Sequence, residues 1–141
     1  MLRPVMILMA LAVMFPRLAN CGEAPGQIEK REITVQEGRV LLNKALESTG
    51  AASLPKFSIV YWENSSTPRF YFFTGTWDNK GQGSAVTGNY YVDRQTGDVW
   101  RAESCEELKS PALEQLKSEI RGDIGLSEID YKKIRIDGPI C

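Results

Sequence analysis

Apolar residues first recur at helical spacing, with Val40, Leu41, Ala45 and Leu46 on one face. Ahead of them Thr34, with Glu37 three residues on, makes a capping box, and Gly50 is a suitable stop. The pattern predicts an amphipathic helix over residues 35–48. The period then changes to two. Residues 56–62 and 69–77 read as strands around the turn-forming Asn64-Ser65-Ser66-Thr67-Pro68, and beyond a polar loop at 78–83 residues 84–93 and 98–102 read as a hairpin. The hairpin turn has its own mechanism: Asp93 can accept a backbone N–H from Gln95 or Thr96, and Gly97 supplies the positive φ that closes the loop. Helical signals return at Ser110-Pro111, an N-cap and first helical position opening a helix to about Arg121. Gly122 and Gly125 break it, and Ser127 with Asp130 starts a shorter helix to about Ile134.

This order predicts an α+β fold: an N-terminal helix packed on a four-stranded antiparallel sheet, followed by C-terminal helices. Both faces of the second strand carry aromatics, Phe70 and Phe72 on one side, Tyr71 and Phe73 on the other. One face must take the first helix. The other is expected to lie under the C-terminal helices rather than stand open as an apolar surface.

The first residues break the pattern. Arg3 precedes an apolar run from Val5 to Phe15 that Pro16-Arg17 ends, about half the ~20 residues needed to span a bilayer. It reads as an export signal over residues 1–21. Leu18-Ala19-Asn20-Cys21 resembles the bacterial lipobox, whose cysteine is lipidated, although Asn20 stands where that box carries Gly, Ala or Ser. Ordinary cleavage after Cys21 is the alternative, because Ala19 and Cys21 are both small. Residues 22–33 then read as a tether and 34–141 as one domain. The expected location is the bacterial periplasm, or the outer membrane through a lipid on Cys21.

Either route removes Cys21 from disulfide pairing. Cys105 and Cys141 remain as an even pair in an oxidising compartment. A bridge between them would close a loop of roughly 36 residues and contribute about 3–4 kcal/mol on the chain-entropy model. Loss of Arg3 and Arg17 takes the basic residues from 17 to 15 against 18 acidic ones, a net charge of −3. That balance offers no electrostatic footprint for nucleic acid or an anionic membrane surface.

The chain has no histidine, which removes Ser-His and Cys-His nucleophile systems and the usual iron and zinc sites. Two cysteines cannot build a structural zinc site. Asp78-Asn79-Lys80-Gly81 lacks the alternating carboxylates of a calcium loop, and no glycine cluster has phosphate-loop spacing. No cofactor or metal is expected. Carboxylates at Glu103, Glu106 and Glu107, or Asp93 and Asp98, are the remaining enzymatic route, but such adjacent acids read better as a solvated surface.

Recognition by shape is left. Trp62, Tyr71, Trp77, Tyr90 and Trp100 are residue types that anchor protein interfaces. Trp62, Tyr71 and Trp77 are the candidate binding residues, with Trp77, at a strand end beside a polar loop, the one expected to be exposed. Glu103, Glu106 and Glu107 are candidates to steer a basic partner.

The hairpin Tyr91-Val92-Asp93-Arg94-Gln95-Thr96-Gly97-Asp98-Val99-Trp100, after a helix and strands, resembles the PepSY type of small exported domain, whose last hairpin reads like V-D-x-x-T-G-x-V. The wider order resembles cystatin-like and nuclear-transport-factor-like rolls. The resemblance covers roughly Thr34 to Arg101. It implies a non-enzymatic binding module, several such domains being inhibitory and others serving as immunity proteins that neutralise toxins from neighbouring bacteria. The expectation is therefore an envelope inhibitor or immunity-type protein that binds a protein partner. The alternative is an accessory envelope module binding a small ligand or cell-wall component.

Overall fold

The computed structural model describes residues 31–136, 138 and 139. The leader, Cys21 and Cys141 lie outside the described residues.

Helix α1 (Val35–Glu47) starts where its capping box requires. Thr34 Oγ1 accepts the Glu37 N–H at 3.2 Å, and the Glu37 carboxylate accepts the Thr34 N–H at 2.8 Å. Arg31 grips the same carboxylate through two N–H donors at 2.8 and 2.7 Å. The Arg31 hydrogen bond, against some burial and with help from Thr34, lowers the Glu37 pKa from 4.5 to about 2. A depressed acid stabilises the fold above its unfolded pKa and loses that contribution as pH falls through the folded value. Urea midpoints of the wild-type protein and Glu37→Gln should therefore differ at neutral pH and converge between pH 4.5 and about 2. Thr34→Ala should lower stability by about 1 kcal/mol, read the same way.

The strands are β1 (Ser58–Tyr61), β2 (Phe70–Asp78), β3 (Ser84–Asp93), β4 (Val99–Arg101) and β5 (Glu106–Glu107), an antiparallel sheet in chain order. The fifth strand was not expected. Cys105, at φ 54°, turns the chain back so that Glu106 and Glu107 pair with Arg101 and Trp100. Two residues are too few to show a period, which is why the pattern predicts four strands.

The core lies between one sheet face and the helices. Leu41, Leu42, Ala45 and Leu46 of α1 meet Tyr71, Phe73, Tyr90, Val92 and Val99. Gly38 allows the close approach, since a Cβ there would sit 3.3 Å from Tyr71 Cδ2. Ile33, placed in the tether by sequence, is buried in this core and donates its N–H to Arg94 O at 2.7 Å.

Helix α2 (Pro111–Asp123) opens on Ser110, whose hydroxyl accepts the Leu113 N–H, and helix α3 (Glu128–Ile134) opens on Ser127 in the same way. Leu113, Ile120 and Ile124 join the same core as α1. The expectation that the C-terminal helices cover the second sheet face is therefore corrected. On that face Gly138 lies against the Trp100 ring, and Pro139 shares a small cavity wall with Phe70 and Tyr91. The tail, not a helix, shelters one end of it. No helix among the described residues is long and apolar enough to cross a membrane.

Candidate interaction surfaces

The hairpin that dominates the sequence is an anchoring device. Asp93 Oδ1 accepts both the Gln95 and Thr96 N–H groups, at 2.8 and 3.2 Å, and Gly97 sits at φ 75°. Asp93 Oδ2 also takes a hydrogen bond from Arg69 Nε at 2.8 Å. Asp98 points the other way, into a buried ionic cluster. It accepts from Lys117 Nζ at 2.9 Å, Arg121 Nη2 at 3.0 Å, Thr96 Oγ1 at 3.0 Å and Tyr131 Oη at 3.3 Å. Arg121 stacks on the Tyr131 ring at 3.6 Å. Asp93 is committed to closing the turn and holding Arg69, and Asp98 to tying the turn to α2 and α3.

Burial opposes the charge on Lys117, but Asp98 and the hydrogen bonds to Glu114 and Asp98 outweigh it, and its pKa is raised above 10.5. A raised lysine contributes its full stability below the unfolded pKa and loses it as pH rises through the folded one. Unfolding midpoints should thus fall as pH rises beyond 10.5, and Lys117→Gln should flatten that fall.

The six residues read from sequence as binding candidates do not form one site, although Trp62 and Glu103 are linked through Thr74 and Asn89. Tyr71 is a core residue, 8 % exposed, its hydroxyl donating to Ile33 O at 2.8 Å. The acidic trio is also split. Glu103 accepts from the Asn89 backbone N–H and Nδ2 at 2.8 and 2.9 Å. The Glu107 side chain is mostly buried and paired with Arg135 and Lys109 at 2.7 and 2.8 Å. Glu106 alone is free at the surface. Alternation along β5 separates them.

Trp62, half exposed at 50 %, is more open than Trp77. Its Nε1 donates to Thr74 Oγ1 at 3.0 Å, and Thr74 donates to Asn89 Oδ1 at 2.8 Å, so a polar line fixes the ring across the outer face. Exposed Val60 lies on the same face.

Trp77 belongs to the inner face and walls a recess of about 430 Å³ beyond the end of α1, with Leu54, Thr87, Tyr90 and Arg101. A slip in register builds it. Gly75 pairs with Gly88 but Thr76 pairs with Val86, leaving Thr87 as the extra residue of a β-bulge. The bulge sends Thr87 inward over Gly75, where a Cβ would collide with Thr87 Oγ1. Among the described residues, three polar groups share this wall, one of them buried and unsatisfied. Thr87 Oγ1 is buried without a hydrogen-bond partner. Tyr90 is 1 % exposed, and its hydroxyl lies close over Gly88. Arg101 has no carboxylate partner, its guanidinium carbon lying 5.9 Å from the Tyr90 ring centroid. Sequence reasoning passed over Thr87 and Arg101. The available signal was a pair of glycines, Gly75 and Gly88, inside two strands, which marks a bulge or a close approach.

No family model matches the chain, and neither does any curated protein. Among solved structures, a chain in the structure of a type VI secretion system effector–immunity complex from Pseudomonas protegens is similar at 26 % identity and a TM-score of 0.58. The match covers 78 % of this chain and 91 % of that one. It extends beyond the region of the PepSY resemblance, which gains no support from it.

Proposed function

We propose that this chain is an exported immunity-type protein that binds a type VI effector as its protein partner and blocks it. The likeness to a chain of an effector–immunity complex, over most of both chains, carries the reading. The leader at residues 1–21 fits a protein placed where incoming toxins arrive. Neutralisation by binding needs no catalytic group, and the carboxylates considered for catalysis, Asp93, Asp98 and Glu107, are engaged in structural ion pairs.

A bridge from Cys105 to Cys141 belongs to this reading. Gly138 and Pro139 lie against Trp100, Phe70 and Tyr91 on the strands that lead to Cys105, which supports a tail tied back at that point. Mass spectrometry of the mature, unreduced protein after proteolysis should recover the Cys105–Cys141 peptide pair; free thiol at both positions would remove it.

The test of the main reading is to mix the mature domain with type VI effectors of its own host. One effector should form a one-to-one complex by size exclusion with scattering, and lose its toxic activity in it. Absence of a complex with every effector would favour the accessory envelope module, for which the recess beside Trp77 would be the ligand site.

A further inference from the structure

The recess walled by Trp77 holds an unpaired hydrogen-bonding group that the fold does not use. Burying a hydroxyl without a partner costs free energy, and native interiors seldom leave such a group. Thr87 Oγ1 is in that state, the Tyr90 ring lies beside it at Gly75, and Arg101, the direct cross-strand partner of Tyr90, pairs with no carboxylate among the described residues. The three share one wall. Two hydroxyls that can donate, and one guanidinium with a fork of donors, describe a receptor for an oxygen anion.

The charge balance narrows the ligand. Among the described residues Arg101 is the only cation lining the recess, so it matches a single negative charge rather than the near-dianion of a phosphate monoester. Trp77, Leu54 and Ala51 give the rest of the wall an apolar character suited to the methylenes of a short side chain. The C-terminal carbonyls of α1 do not repel such a guest strongly, because several are already satisfied. Ser48 Oγ donates to Ala45 O at 2.7 Å, Thr49 Oγ1 to Leu46 O at 2.9 Å, and the Gly50 N–H to Glu47 O at 3.3 Å.

We propose that the recess bounded by Trp77, Thr87, Tyr90 and Arg101 is a carboxylate-binding site, and that an aspartate or glutamate side chain of the effector fills it in the complex. The second half rests on the immunity-type reading; the first half does not. The site orients the partner: the guanidinium takes both carboxylate oxygens, the two hydroxyls donate to them, and Trp77 closes over the stem.

Two measurements test this together. The first follows the tryptophan indole N–H signals of the mature domain by NMR during titration with N-acetyl-glutamate α-methylamide, whose one ionisable group is the side-chain carboxyl, and with N-acetyl-glutamine α-methylamide as the neutral control. The acid should shift the Trp77 signal saturably and leave those of Trp62 and Trp100 in place, and Arg101→Gln should abolish the shift. The second measures effector affinity for the wild-type domain and for Arg101→Gln, Tyr90→Phe and Thr87→Val, the last two preserving shape. Arg101→Gln should weaken binding by about 10- to 100-fold, the range for a hydrogen bond to a charged group, and each hydroxyl deletion by less. A Trp77 shift with unchanged effector affinity overturns the effector side chain as occupant and leaves a free carboxylate. A Trp77 shift with no effector bound by the wild-type domain overturns the immunity-type reading instead. No shift with the acid, or an equal shift with the amide, overturns the site itself.

Discussion

Asp98→Asn should destabilise the protein by about 3–5 kcal/mol, the cost of removing one partner from a buried ion pair. The Asp98 side chain is 2 % exposed and faces two cations that are nearly as buried, Lys117 at 1 % and Arg121 at 6 %. An amide offers one acceptor oxygen where the carboxylate offers a full charge and two. Lys117 keeps Glu114 at 2.7 Å, but Arg121 keeps only the Thr96 carbonyl and its stacking on Tyr131. The loss should be felt where three elements meet, because Asp98 joins the hairpin to both C-terminal helices. Chemical denaturation of Asp98→Asn, Lys117→Gln and the double variant closes a cycle, whose coupling should be about 1–3 kcal/mol. Additive effects would mean that the pair is not interacting as the geometry describes.

Phe73→Ala should cost about as much, roughly 3–5 kcal/mol, while Phe72→Ala next to it should cost only about 1 kcal/mol. The contrast follows from the pleat. Phe73 is 0 % exposed and packs between Tyr61, with ring centroids 5.5 Å apart, and the α1 helix at Gly38. Phe72 stands on the opposite face, where its neighbour is the Tyr91 ring at 5.2 Å and solvent takes the rest. Urea midpoints of the two variants separate these cases directly. Equal losses would mean that both faces are core, and that the outer face is covered by more than the tail.

Much of this fold was legible because local chemistry and tertiary structure agree. The capping box at Thr34 and Glu37, the Ser110-Pro111 and Ser127 helix starts, and the Asp93–Gly97 turn all form as their residues require. Three features were not legible, each because it depends on distance in the chain rather than on neighbours. Lys117 and Arg121 look like an ordinary solvated pair. That they lie on the buried stripe with Leu113, Ile120 and Ile124 was the sign that they face an acid elsewhere. The fate of the acidic trio depended on β5, a strand too short to announce itself. The relative exposure of Trp62 and Trp77 depended on which sheet face α1 chose, and Trp77 went to the helix side beside Leu54. The recess was hidden for a related reason: Thr87 faces inward only because the sheet slips by one residue at Gly75.

An immunity-type role for this chain is measured most directly by competition between siblings. A host strain lacking the gene should be outcompeted by its type VI-proficient parent, survive beside a parent that cannot secrete, and be rescued by expression of the wild-type chain. Equal survival of the deletion strain beside both parents would contradict the immunity-type role.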